Sequence, residues 1–97
     1  MDLNSAKAMV SKLINSGYNE PGDELVIVDE DTIEKDYGWI FFYTSRTFLE
    51  TGNISDMVVG NGPIVVEKAD GRITRLPSAR PPEFTIPEFE LSRGFDS

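Results

Sequence analysis

The sequence predicts an α+β domain in which an N-terminal helix packs on a four-stranded antiparallel sheet, in two layers. Three observations predict this class: apolar residues at helical spacing near the N-terminus, several short segments rich in β-branched and aromatic residues, and turn residues between them. A chain of 97 residues suits one domain. We expect a single domain over residues 1–97, with a core at about residues 3–76 and an extended, proline-rich tail at residues 77–97.

The first segment has the spacing of an amphipathic helix. Its apolar residues fall on one helical face and are Ala6, Met9, Val10, Leu13 and Ile14. Asp2 or Asn4 can cap the start, because a short side-chain oxygen accepts a free backbone N–H there. Gly17 follows the last apolar residue, where a left-handed residue commonly ends a helix. The sequence therefore predicts a helix that ends near Gly17.

Four later segments have the character of strands and comprise residues 25–33, 39–44, 64–67 and 72–76. The first two lie close together in the chain, which favours an antiparallel pair. Turn residues at 61–62 and 69–71 separate the later segments. Phe48 and Leu49 are expected to anchor the intervening region, in which residues 54–59 fit either a short helix or a loop. The helix followed by four strands gives the predicted α+β order.

The segment 39–44 is apolar on both of its faces. Trp39, Phe41 and Tyr43 share one face, and Ile40, Phe42 and Thr44 share the other. The N-terminal helix can cover only one of them. The second face is covered by the tail through Phe84, Ile86 and Phe89, or it serves as a homodimer face, or it binds another partner. The tail itself should be extended, because prolines at 77, 81, 82 and 87 oppose a long helix and a central strand.

The amino-acid composition excludes several classes of function. The chain has no histidine and no cysteine, so it lacks the usual general base near neutral pH and the common soft metal ligands. We expect no enzymatic activity and no cofactor. With 17 acidic and 9 basic residues the net charge is −8, which opposes nucleic-acid binding and favours a basic protein partner. The sequence shows no signal peptide and no apolar run of bilayer length, so a cytoplasmic protein without membrane contact is expected.

The densest polar cluster comprises Asp29, Glu30, Asp31, Glu34 and Asp36. Carboxylates suit calcium or magnesium, but the spacing does not match the calcium-binding loop. Paired carboxylates also serve glycosidases, although a domain this small has little room for a sugar cleft. On a continuous strand, alternation would send Asp29 and Asp31 to one face and Glu30 to the other. An acidic edge that faces a protein partner and a merely solvated hairpin remain the stronger interpretations.

Three segments together resemble a known family. They are residues 38–43 (GWIFFY), 48–52 (FLETG) and 60–66 (GNGPIVV), the last followed by Asp70 and Gly71, with residues 32–37 (TIEKDY) upstream. Their combined order is similar to that of the Immunity protein 35 family, also called the YrhB-domain family. The resemblance covers roughly residues 25–76. The proline-rich tail departs from the expected pattern.

The resemblance implies a bacterial cytoplasmic protein of a polymorphic toxin system, which binds a cognate toxin and neutralises it by stoichiometric occlusion. The alternative that it implies is a small heat-stable, holdase-like chaperone, which would use the exposed aromatic face. The candidate partner-binding residues are Asp29, Glu30, Asp31, Glu34, Asp36, Tyr37 and Trp39. The acidic members would steer a basic partner toward the domain.

Overall fold

A computed structural model describes residues 1–18, 21–53 and 62–95. Within them the chain forms three α-helices, six short strands and one turn of 3-10 helix. The elements are α1 (Leu3–Asn15), β1 (Leu25–Ile27), the 3-10 turn (Asp29–Asp31), β2 (Ile33–Lys35), β3 (Gly38–Phe41), β4 (Tyr43–Ser45), α2 (Arg46–Thr51), β5 (Ile64–Glu67), β6 (Ile73–Arg75) and α3 (Pro82–Arg93). The predicted α+β class, with an N-terminal helix on an antiparallel sheet, is confirmed.

Helix α1 begins and packs as its sequence predicts. Asp2 caps it, since the backbone N–H of Ser5 donates to Asp2 Oδ1 at 2.8 Å. Ala6, Val10 and Ile14 form its buried stripe. The predicted cap at Gly17 is wrong, because the helix ends at Asn15 with Ser16 as a right-handed C-cap, and Gly17 has no positive φ. The hydroxyl of Ser16 instead donates to the carbonyl oxygen of Leu13.

Four strands form the central antiparallel sheet in the order β2-β3-β5-β6. Strand β3 lies at its centre, with Ile40 opposite Ile33 on one side and opposite Val65 on the other. A separate two-stranded antiparallel pair, β1-β4, joins Leu25 to Ser45 in register. The first two predicted strands therefore pair as expected, but each is divided between the two sheets.

The division of these strands has a local cause. The 3-10 turn inserts residues 29–31 between β1 and β2, where one continuous strand over 25–33 was expected. The N–H of Val28 still donates to the carbonyl oxygen of Phe42 at 2.8 Å, at the point where β3 gives way to β4. The strand predicted over 39–44 is interrupted at Phe42. The inserted residues 29–31 of the facing segment cannot continue the pattern of hydrogen bonds between the strands.

Helix α2 was not predicted. Ser45 caps it by accepting the N–H of Phe48 at 3.1 Å, and Gly52 ends it in the left-handed conformation with φ 66°. The Ser45 hydroxyl donates to Asp23, whose carboxylate also accepts the N–H of Thr47, so the pKa of Asp23 lies well below its ordinary value. Leu49 is 54% exposed, so its expected role as an anchor is wrong. The predicted helix or loop at 54–59 lies outside the described residues.

The central sheet buries side chains on both faces. Toward α1 the buried residues are Ala6, Val10, Ile14, Leu25, Ile27, Trp39, Phe41, Ile64 and Val66. Toward α3 they are Ile40, Val65, Leu76, Ile86 and Phe89. The predicted alternation of β3 is confirmed, because Trp39 and Phe41 lie on the first face and Ile40 lies on the second.

The C-terminal tail is a helix rather than the expected extended segment. Pro82 occupies the first helical position, where a missing N–H is harmless, and Gly94 closes the helix with φ 74°. Pro87 lies inside the helix and removes one internal hydrogen bond, which packing of Ile86 and Phe89 on the sheet offsets. The tail thus covers the second face and adds a third layer. Phe84, expected to contribute, is instead 53% exposed.

Candidate binding surface

The acidic residues 29–31 lie together on an exposed bulge at the side of the sheet. Two backbone hydrogen bonds hold the turn. The N–H of Asp31 donates to the carbonyl oxygen of Val28 at 3.0 Å, and the N–H of Thr32 donates to that of Asp29 at 3.1 Å. Asp29, Glu30 and Asp31 are all exposed. The alternation expected for a continuous strand does not occur, because a turn replaces the strand here. We call Asp29, Glu30 and Asp31 the acidic bulge.

The five predicted acidic residues differ in their ion pairs. Lys7 of α1 pairs with Asp29 at 2.5 Å, and Lys68 pairs with Glu34 at 3.1 Å. Glu30, Asp31 and Asp36 are exposed and form no ion pair with any other described residue. These three carboxylates therefore provide the uncompensated negative charge of the predicted set.

The described residues contain no group of three or more acidic side chains close enough to hold a metal ion. The acidic bulge spreads its carboxylates outward rather than around a common point. Its chemistry is therefore that of a charged surface, which acts on a partner through its field and through hydrogen bonds at contact.

Tyr37 lies at the β2-β3 turn and binds α3. Its hydroxyl donates to Glu90 Oε2 at 2.8 Å, and its ring stacks on Phe95 with centroids 4.4 Å apart. Burial raises the pKa of Tyr37, and the hydrogen bond to the Glu90 carboxylate raises it further. Tyr37 therefore stays neutral and serves chiefly to attach the helix, with only part of its surface open to a partner.

Trp39 is the one candidate that the structure places in the core. Its side chain is 4% exposed and packs among the apolar residues beneath α1. The ammonium group of Lys68 lies 5.3 Å from the centre of its ring. Trp39 consequently offers a partner almost no surface.

Sequence reasoning missed a recess at the tip of the sheet. It has a volume of about 380 Å³ and is lined by Asp36, Tyr37, Glu67, Lys68, Ala69 and Phe95. Glu67 is buried and receives two hydrogen bonds from the guanidinium group of Arg93, at 2.9 Å and 3.1 Å. No local sequence signal joins residues so far apart, and the expected extended tail did not place Arg93 or Phe95 here.

Comparison with known proteins identifies the family. The family model described as Immunity protein 35 matches residues 4–86, and the chain belongs to this family. The chain is also 36% identical over 56 residues to "Uncharacterized protein YrhB" of Escherichia coli strain K12. That alignment covers 58% of this chain and 60% of the relative, so the chain matches less than two thirds of the relative's length. No solved structure gives a significant match.

The family is described as one of immunity proteins, a name that implies a role directed against a toxin. Among the described residues, none of the helices is both long enough and apolar enough to span a membrane. The matched residues include the acidic bulge, β2, Asp36 and Tyr37, but they end within α3. Phe95, which lines the tip recess, and Arg93, which binds Glu67 there, therefore lie beyond the family match.

Proposed function

We propose that this protein neutralises a cognate toxin by binding it stoichiometrically and covering its active site. The acidic bulge, with Glu34 and Asp36 beside it, is the surface that meets a basic region of the toxin. The observation that carries the proposal is the acidic bulge itself, a 3-10 turn between β1 and β2 in which Asp29, Glu30 and Asp31 are all exposed.

The charges on this surface favour a basic partner. Glu30 and Asp31 are adjacent, exposed and unpaired within the described residues, so their charges are not offset nearby. Like charges on adjacent residues repel one another, and the repulsion falls when a basic partner approaches. Such complementarity raises the association rate and selects the partner more than it raises the final affinity.

The first experiment measures association with the cognate toxin. The association rate should fall roughly tenfold or more as ionic strength rises from about 0.01 M to about 0.15 M, because the Debye length falls from about 30 Å to about 8 Å. Titration of toxin activity should reach its end point at one equivalent. A rate that is indifferent to salt would contradict steering, and failure to bind would contradict the proposal.

A matched pair of variants locates the surface. Glu30→Lys reverses an exposed, unpaired charge on the bulge, whereas Glu83→Lys reverses a comparable charge on α3, on the opposite face of the sheet. The first should slow association roughly threefold to tenfold, and the second should have a much smaller effect. Equal slowing by both variants would mean that only the net charge matters.

The holdase alternative depended on an exposed aromatic face. Helix α3 covers that face with Ile86 and Phe89, which are 8% and 6% exposed. The same cover removes the surface expected for a homodimer. We therefore propose toxin binding alone and no general affinity for unfolded chains.

A further inference from the structure

We infer that the tip recess receives an arginine side chain from the basic partner and is a specific anchor point within the larger acidic surface. This inference rests on the proposed function and deepens it. The acidic bulge would attract the partner over a distance, while the recess would fix its position at contact. The recess is lined by Asp36, Tyr37, Glu67, Lys68, Ala69 and Phe95.

The recess is built by three contacts that hold its walls. The N–H of Lys68 donates to the carbonyl oxygen of Tyr37 at 2.7 Å, so the β2-β3 and β5-β6 turns lie side by side. The ring of Phe95 stacks on Tyr37 with planes 8° apart. The guanidinium group of Arg93 is bound to Glu67, which holds the end of α3 against the sheet. These contacts form the recess before any partner binds.

The charges that line the recess leave one carboxylate uncompensated. Glu67 is satisfied by Arg93 and has Arg72 at 3.8 Å. The ammonium group of Lys68 is bound to Glu34 and lies over the ring of Trp39. Asp36 alone among the charged lining residues forms no ion pair within the described residues. The recess therefore has one carboxylate that can pair with a positive charge, and its lining has no unpaired cation that could bind an anionic ligand.

The walls suit an amphipathic side chain. The Tyr37 and Phe95 rings and the Ala69 methyl group supply apolar surface for a methylene stem, and Asp36 meets the charge at its end. A volume of about 380 Å³ lies near the lower limit of ligand pockets, about 300 Å³, which suits a side chain better than a large small-molecule ligand. Arginine fits better than lysine, because its planar group pairs with a carboxylate through two hydrogen bonds.

The test uses the full chain labelled with ¹⁵N and two short blocked peptides, Gly-Arg-Gly and Gly-Lys-Gly, as probes. The arginine peptide should shift the amide signals of Tyr37, Lys68, Ala69 and Phe95 at concentrations in the range of about 1 mM and above, as befits a single side chain. The lysine peptide should bind more weakly. Absence of localised shifts with the arginine peptide would overturn the inference, even if the intact toxin binds.

A matched pair of substitutions separates the recess from general charge. Asp36→Asn and Asp31→Asn remove the same charge from exposed, unpaired aspartates, but only Asp36 lines the recess. The first should weaken peptide binding roughly threefold to tenfold, and the second should weaken it less than twofold. Equal effects would overturn the inference. Shifts at the same amides on raising the protein concentration without peptide would also overturn it, because they would identify a second copy as the occupant.

Discussion

The two faces of the central sheet are covered by different means. Among the residues that the structure describes, the α1 face has an apolar core of nine buried residues, whereas the α3 face has five and adds polar contacts at one end. There the Glu90 carboxylate accepts a hydrogen bond from the Tyr37 hydroxyl and lies 3.3 Å from the ammonium group of Lys35. Glu67 forms an ion pair with Arg93. The stability of the α1 face depends on apolar burial, which does not require a particular bond geometry. The α3 face depends in part on contacts that require specific side-chain positions, so it should open more readily.

The largest expected effect comes from the α1 face. Phe41 is fully buried, so Phe41→Ala should lower the free energy of unfolding by about 3–5 kcal/mol through lost burial and the cavity that remains. Urea denaturation followed by circular dichroism measures it. Both helices should lose protection together, since this core supports the whole sheet. A loss of unfolding free energy below about 1 kcal/mol would contradict the conclusion that Phe41 is a main part of the core.

The corresponding change on the α3 face should act locally. Phe89→Ala removes a ring that is 6% exposed and contacts Tyr37 and Phe95, and it should cost about 3 kcal/mol. Hydrogen exchange should show early loss of protection in α3 while α1 keeps its protection. Simultaneous loss in both helices would show that the two faces unfold as one unit.

The hydroxyl of Tyr37 tests the polar attachment separately from packing. Tyr37→Phe keeps the ring stack on Phe95 but deletes the hydrogen bond to Glu90, which is 3% exposed. The expected loss is about 1 kcal/mol, because a buried carboxylate loses one donor. Faster amide exchange near the end of α3 should accompany it. Unchanged exchange there would mean that the Tyr37 hydroxyl does not help to hold α3 on the sheet.

Thr85 should give a small effect of the opposite sign. Its Oγ1 has no hydrogen-bond partner among the described residues, although the residue is only 3% exposed. Thr85→Val keeps the shape and removes the unpaired hydroxyl, so it should raise stability by about 1 kcal/mol. A higher urea midpoint with an unchanged slope would demonstrate this gain. A lower midpoint would show that the hydroxyl is bonded in solution.

The smallest effect concerns alkaline pH. Burial and the Glu90 carboxylate raise the pKa of Tyr37 above its ordinary value of 10.0, so the folded state holds its proton more tightly than the unfolded state. The stability that neutral Tyr37 contributes is intact below about pH 10 and is lost as the pH rises above it. Melting temperatures should therefore fall more steeply above about pH 10 in the wild type than in Tyr37→Phe. Tyr43, whose pKa burial also raises, leaves a residual fall in both.

Sequence reasoning succeeded where the physics is local. The spacing of Ala6, Val10 and Ile14 is enough to define the buried stripe of α1, and β5 coincides with the predicted segment 64–67. The prediction for the C-terminal tail failed, because its prolines suggested an extended segment where the structure has helix α3. Pro82 at a helix start is compatible with a helix, and Pro87 is tolerated only because Phe89 and Ile86 pack on the sheet.

The acidic residues illustrate the same limit at the candidate site. Their clustering at 29–36 is evident in the sequence, but their outward presentation is not. A continuous strand would have divided them between two faces, whereas the 3-10 turn places Asp29, Glu30 and Asp31 together on the surface. Which of them keep their charge unpaired depends on Lys7, which comes from α1, and on Lys68, which comes from the turn after β5.

The sequence by itself determined the α+β class, the helical stripe, the two-sided apolar character of β3 and the acidic segment, because each follows from neighbours along the chain. Only the tertiary structure decided that α3 covers the second face, that Trp39 is buried and that Asp36 faces a recess. These features join positions that are far apart in the chain, as in the hydrogen bond between Tyr37 and Glu90, which are 53 residues apart. Contacts at such separations depend on how complete layers pack, and no local preference encodes them.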